Sequence, residues 1–182
     1  MNKHKKRCLS YIQAYISFED RSCPRFRGFV DEWYAHHMGL PFLTKNKFGG
    51  QARWLNNPDI SKPIIKSCMR SLHVVSVQAL KVLDGKVDER LIKEHAIPIK
   101  KLRDLAFEKL NSNSQTEDIE QFLLTYYRVA AITKKEDVDI NEEGFRDCMP
   151  IDWDNNESES IYARYDEANI RYQVNPIEAK TN

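Results

Sequence analysis

Apolar residues recur at helical spacing near the start of the chain. Leu9, Ile12 and Ile16 are three or four residues apart and predict an amphipathic first helix. A second helix is predicted after Pro24, because apolar and aromatic residues again share one side until Gly39 ends the pattern. That side consists of Phe26, Phe29, Val30, Trp33 and His37. Between residues 39 and 58 the turn-forming residues indicate a loop.

A long helix is predicted from Ser61 to Gly85. Ser61 is a suitable N-cap, and Pro63 suits the first turn of a helix. The predicted buried face consists of Ile65, Met69, Leu72, Val75, Ala79 and Leu83. The N-terminal part, residues 1–86, is therefore expected to be helical.

The pattern changes after Gly85. Residues 90–98 indicate a short extended segment, and the apolar run 129–132 has strand character. Two helices are predicted between them, one with Leu102, Leu105, Ala106 and Leu110 inward and one beginning at the capping-box spacing of Ser114 and Glu117. A second capping box, Thr133 with Glu136, predicts a helix to about Glu143 that Gly144 ends.

These elements predict an α+β fold that is mostly helical, with a small two-stranded element. Residues 87–144 would form a strand–strand–helix element with a helical insertion. Residues 145–182 would form an extension packed on the same domain, with a short helix at 161–168 and a frayed tail.

Composition restricts the class of protein. The 182 residues are 41% hydrophobic and 30% charged, which is enough to bury a core, and the net charge of +1 provides no overall field for a polyanion. The four cysteines form no C-x-x-C pair, which argues against a zinc ribbon and for free thiols. No apolar run reaches membrane-spanning length. A cytoplasmic protein without a membrane partner is expected.

Glu94 and His95 are the first candidates for chemistry. They lie where the predicted strand gives way to a loop before Pro98. A histidine there can act as a general base near neutral pH, and the adjacent carboxylate can orient it or bind a cation. An ordinary surface ion pair is the alternative. On the later capped helix, Asp137 and Asn141 are four residues apart and share a face that could offer oxygen ligands.

Two segments resemble the HNH, or ββα-metal, nuclease family. Leu91–Pro98 is similar to its first strand, which ends in an acidic residue and a histidine, and Val129–Asp137 is similar to its second strand and helix. The resemblance implies that His95 activates water. It implies that Glu94 and Asp137 hold Mg²⁺ or Mn²⁺ near the scissile phosphate.

The chain departs from that family at two points. The family usually has a histidine at the position of Asp137 and often another near Asn141, and the insertion between the two segments is long here. An inactive copy of the motif is therefore an alternative. The C-terminal stretch, with the segments Gly144–Pro150, Trp153-Asp154 and Ala163-Arg164-Tyr165, resembles an uncharacterised group of bacterial or mobile-element proteins, a resemblance that points to no particular activity.

Several basic residues are candidates for contacts to the DNA backbone. The candidates are Lys45, Lys47 and Arg53 in the loop, Arg128 and Arg146 near the proposed site, and the cluster His4-Lys5-Lys6-Arg7. His36 and His37 are adjacent on a helix and do not face each other, so they are not expected to share an ion.

Three functions follow from these observations. The leading hypothesis is an endonuclease that hydrolyses DNA with Mg²⁺ or Mn²⁺. The alternative is a non-catalytic factor from a mobile element, for example an anti-defence inhibitor, that binds nucleic acid or a protein. The third is a structural subunit that presents Trp33, Phe48 and Trp54 to a partner.

Overall fold

The computed structural model describes residues 3–18, 25–40, 62–153 and 160–175. The chain divides into two compact units. The first, here called the helical unit, comprises residues 1–57, 103–125 and 178–182, and the second, the sheet unit, comprises residues 58–102 and 126–177. Lys45, Lys47, Phe48, Arg53 and Trp54 lie outside the described residues. Within the described ranges, no helix has both the length and the apolar character needed to cross a membrane.

The helical unit contains two antiparallel helices, α1 (Lys3–Ser17) and α2 (Phe26–His37). Side chains along the two helices pair in reverse order, as His4 with His36, Arg7 with Glu32, Tyr11 with Phe29 and Tyr15 with Phe26. Leu9, Ile12, Ile16, Val30 and Trp33 are buried, as the apolar spacing predicts. Because Trp33 is 1% exposed, its predicted role at a partner interface was wrong.

The same unit contains most of two further helices. These are α5 (Ile99–Lys109), which enters the unit at residue 103, and α6 (Thr116–Tyr126). The predicted capping box of Ser114 and Glu117 was wrong, because the Ser114 hydroxyl accepts the Asn111 N–H instead. The Asp118 carboxylate accepts the Gln115 N–H just before α6 begins.

The sheet unit holds a four-stranded mixed sheet with helices around it. Its elements are α3 (Lys62–Arg70), β1 (Val74–Ser76), α4 (Val77–Leu83), β2 (Leu91–His95), β3 (Val129–Thr133), α7 (Lys134–Glu142), α8 (Ala163–Glu167) and β4 (Tyr172–Val174). The strand order is β2-β3-β1-β4. β1 and β3 are parallel, and the outer strands are antiparallel to their neighbours. The mostly helical α+β class is confirmed, with four strands in place of two.

The additional strands come from two segments that the sequence pattern misassigned. The predicted long helix divides into α3, β1 and α4, because Val74 and Val75 are buried between β3 and β4. A strand buried on both faces is continuously apolar, and short apolar runs do not distinguish it from a buried helix. Residues 172–174, predicted to fray, form β4 against β1.

The β2, β3 and α7 elements follow the sequence prediction closely. Leu91 is opposite Thr133 and His95 is opposite Val129 in the antiparallel register. Thr133 caps α7 through a complete capping box, and Gly144 follows with a positive φ of 85°. The core of this unit contains Val74, Ala96, Ala130, Ile132, Ile140, Tyr165 and Ile170.

A buried carboxylate joins the starts of α4 and α7. Glu136 accepts hydrogen bonds from the Thr133 N–H at 2.8 Å and the Ser76 hydroxyl at 2.6 Å. The Ser76 oxygen in turn accepts the Ala79 N–H at 2.9 Å. β1 and β3 are adjacent and parallel, so the two helix starts meet at one edge of the sheet. The shared carboxylate fixes them relative to each other.

Removing the α7 cap should lower stability measurably. We expect Thr133→Ala to cost about 1 kcal/mol of unfolding free energy, because the Glu136 N–H loses its side-chain acceptor. Denaturant unfolding measures this. The control Thr125→Ala, at an exposed hydroxyl within α6, should change stability by less than about 0.5 kcal/mol. Equal effects of the two substitutions would contradict the capping role.

Candidate functional site

Glu94 and His95 end β2, as predicted, but the carboxylate of Glu94 is already paired. The Glu94 Oε1 accepts a hydrogen bond from Nη2 of Arg164 at 2.7 Å. The Arg164 side chain is fully buried, whereas that of Glu94 is 22% exposed. Glu94 therefore supplies the counter-charge for a guanidinium that water does not reach.

Arg164 also joins three segments of the sheet unit. Its Nε donates to the Ala96 carbonyl at 3.1 Å, Nη1 donates to the Phe145 carbonyl and Nη2 donates to the His95 carbonyl. Of these acceptors, His95 ends β2, Ala96 follows that strand and Phe145 follows α7, while the arginine itself lies on α8. A planar guanidinium with five N–H groups suits such divergent acceptors.

His95 is buried in the same region. Its residue is 4% exposed, and its ring packs against Tyr127 with ring centroids 5.6 Å apart. His73 is also buried nearby, and its Nδ1 accepts the N–H of Val129, the residue paired with His95. A general base must come within hydrogen-bond reach of water and substrate. Packing and burial keep the His95 ring away from solvent.

Asp137 and Asn141 lie on α7, as predicted. Asp137 pairs with Lys134 one turn earlier, and Asn141 is exposed. Asp137 belongs to the helix that starts after Thr133, which is opposite Leu91 rather than His95. Since β2 has five residues, its ends are roughly 13 Å apart.

Glu94, His95 and Asp137 do not form a group of three neighbouring ligand atoms. In the parts of the chain that the structure describes, one group of three histidine, cysteine or acidic side chains brings its ligand atoms within 4.8 Å of one another. That group does not include Glu94, His95 or Asp137. The structure places the predicted residues in one unit, and it does not bring the ligand atoms of Glu94, His95 and Asp137 within 4.8 Å of one another.

The predicted phosphate contacts have other partners or lie on the surface. Arg128 donates to the carbonyl of its neighbour Tyr127 and lies beside Tyr162, whereas Arg146 is exposed after α7. In the helical unit, Lys5 pairs with Glu120 and Arg7 pairs with Glu32. Part of the N-terminal basic cluster is therefore neutralised within the molecule.

A cleft lies at the edge of the sheet where the parallel strands β1 and β3 end. It has a volume of about 390 Å³ and is lined by residues 77–78, 89, 133, 135–136, 139 and 168–171. Ligands often bind at this edge of parallel sheets. Here Glu89 accepts the Lys135 N–H at 2.8 Å, and Glu136 accepts that of Thr133. Two carboxylates of the chain already occupy the amino end of α7, which disfavours binding of a phosphate.

The three ligand-type side chains that do meet are His4, Glu32 and His36. The rings of the two histidines stack with centroids 4.8 Å apart and planes 18° apart, and the His36 Nε2 is 3.7 Å from the Glu32 Oε1. Burial is the main cause that lowers the pKa of His36 below its ordinary value, and the nearby His4 lowers it further. The four-residue spacing of Glu32 and His36 on a helix indicates from the sequence alone that these two side chains are neighbours. The position of His4 beside them could not be predicted in this way, because it depends on the pairing of α1 with α2.

Comparison of the chain with models of known protein families, with curated proteins and with solved structures finds no significant match. The resemblance to ββα-metal nucleases therefore depends on the sequence motifs and on the order of β2, β3 and α7.

Loss of the buried guanidinium should strongly destabilise the sheet unit. We expect Arg164→Met to lower the unfolding free energy by about 3–5 kcal/mol, because Glu94 and three carbonyl groups lose their donor. Chemical denaturation followed by circular dichroism measures the change. The exposed Arg146→Met is the matched control and should cost less than about 0.5 kcal/mol. A small effect of Arg164→Met would show that the ion pair is dispensable.

Proposed function

We propose that this chain is a non-catalytic binding protein in which Glu94 and His95 maintain the fold. The observation that carries the proposal is the hydrogen-bonded ion pair between Glu94 and the fully buried Arg164. Arg164 holds one oxygen of the Glu94 carboxylate, so a divalent ion at this carboxylate would add positive charge beside a guanidinium that is fully buried. Glu94 is therefore less available to a weakly held Mg²⁺ than an unpaired carboxylate would be.

The charges of the described residues favour a protein as the partner. A protein that binds nucleic acid needs several unpaired cations on one surface. Here Lys5 and Arg7 have carboxylate partners, and the net charge of the whole chain is only +1. Of the two predicted classes of partner, DNA therefore has less support than a protein.

The cysteines support a cytoplasmic location. Cys8, Cys68 and Cys148 are free thiols, and the first two are buried. Burial raises the pKa of the Cys8 thiol to about 12, which keeps it protonated and unreactive. Unpaired thiols are typical of proteins in a reducing compartment.

The second candidate function is the Mg²⁺- or Mn²⁺-dependent endonuclease. One observation favours it, namely the antiparallel pair β2–β3 followed directly by the capped helix α7, with His95 at the end of the first strand. This order is the one implied by the HNH resemblance. In this function His95 would be the base, and Glu94, Asp137 and Asn141 would be the ion ligands.

A cleavage assay distinguishes the two functions. Purified protein is incubated with supercoiled plasmid and Mg²⁺ or Mn²⁺, beside the variants Asp137→Asn and His95→Gln. The binding proposal expects wild-type protein and both variants to produce the same background. Asp139→Asn, on the same helix, is the matched control for Asp137→Asn. Wild-type cleavage that falls by about 100-fold or more in Asp137→Asn and His95→Gln but persists in Asp139→Asn would overturn the proposal in favour of the nuclease. A thermal melt of each variant confirms that it is folded.

Affinity for DNA tests the class of partner. Fluorescence anisotropy with a labelled DNA duplex is measured at 50 mM and at 200 mM salt. At 200 mM salt we expect a dissociation constant no lower than the nonspecific range of about 10⁻⁴–10⁻⁶ M. Submicromolar affinity at 200 mM salt would identify nucleic acid as the partner.

A further inference from the structure

The helical unit contains a set of metal-type donors that the proposed function does not use. His4 lies on the first turn of α1, while Glu32 and His36 lie one turn apart on α2. One ligand atom from each residue lies within 4.8 Å of the other two. Side chains from two helices thus converge on one point, although Glu32 lies 28 positions after His4 in the sequence.

The donor distances suit a small four-coordinate ion. Zinc bonds of about 2.0–2.1 Å place tetrahedral ligand atoms roughly 3.4 Å apart. The His36 Nε2 and the Glu32 Oε1 are already 3.7 Å apart, and no pair in the set exceeds 4.8 Å. The His4 and His36 rings would have to rotate out of their stacked arrangement to close the remaining difference. Three protein ligands leave a fourth position for water, as in many zinc sites.

The chemistry of the donors selects the class of metal. Two imidazoles with one carboxylate suit zinc and similar transition metals, whereas Mg²⁺ and Ca²⁺ prefer oxygen ligands alone. Imidazole binds metal in its neutral form.

Arg7 is the group that competes with an ion for Glu32. Its Nη2 donates to Oε1 of the carboxylate, and its side chain is 47% exposed. An exposed ion pair contributes about 1 kcal/mol or less, so it does not prevent metal binding. Arg7 and the ion would both contact Oε1 of Glu32, the oxygen that lies 3.7 Å from the His36 Nε2. A hydrogen bond of this kind commonly orients a ligating carboxylate.

We propose that His4, Glu32 and His36 form a binding site for a divalent transition-metal ion of the zinc class. The ion joins the first turn of α1 to the last turns of α2. This site is independent of Glu94, His95 and Asp137, and it does not depend on the proposed binding function.

Calorimetry of the full chain with ZnCl₂ in chelator-treated buffer tests the proposal. We expect one site per chain. Because loss of an outer-shell partner alone costs about 10- to 100-fold in affinity, Glu32→Gln and His36→Gln should each weaken zinc binding by about 100-fold or more. His4→Gln should do the same. Zinc should also raise the melting temperature of the wild-type protein but not that of Glu32→Gln, since an ion stabilises only the state that binds it.

Two controls identify the site. Glu117→Gln, at an exposed residue of α6 in the same unit, removes a carboxylate outside the cluster and should leave the affinity unchanged. Cys148→Ser removes an exposed thiol that could bind zinc adventitiously and should also leave it unchanged. Without metal, Glu32→Gln should melt within a few degrees of wild type, which separates loss of a ligand from loss of folding. Absence of zinc binding by the wild-type protein would overturn the proposal, as would affinity that persists in the three ligand variants.

Discussion

The sheet unit depends on the solvation of one buried positive charge. The guanidinium of Arg164 has no contact with water, so the protein must supply both its counter-charge and its hydrogen-bond acceptors. Glu94 supplies the charge, and the carbonyl groups after β2 and α7 supply the acceptors. The positions of three elements thereby become mutually dependent. This constraint also explains why the residues that resemble a nuclease motif support the structure.

The sequence was sufficient to predict elements whose signals are local. The β3–α7 junction has its strand, capping box and terminal glycine within 16 residues, and the structure contains all three. β1 was not predictable in this way, because its apolar residues also satisfy a helical repeat. Its strand conformation depends on pairing with β3 and β4, which are distant in the sequence. Long-range pairing therefore decided the assignment where local propensity was ambiguous.

The candidate site shows the same limit. The position of Glu94 and His95 at a strand end was predictable, but their environment was not, since Arg164 is 70 residues from Glu94. An arginine in a polar C-terminal stretch has no sequence feature that marks it as buried. The His4, Glu32 and His36 cluster was likewise hidden, because only the pairing of α1 with α2 brings the first histidine to the other two residues.

The order of the strands has a consequence for folding during synthesis. β1 lies between β3 and β4, and these strands follow it by more than 50 and more than 90 residues. As the polypeptide emerges from the ribosome, the backbone N–H and C=O groups of β1 have no strand partner until residues 129–133 appear, and one side stays open until residues 172–174 appear. β1 is therefore synthesised before the other strands, but its pairing is completed last. The nascent chain consequently depends on contacts between residues that are far apart in the sequence.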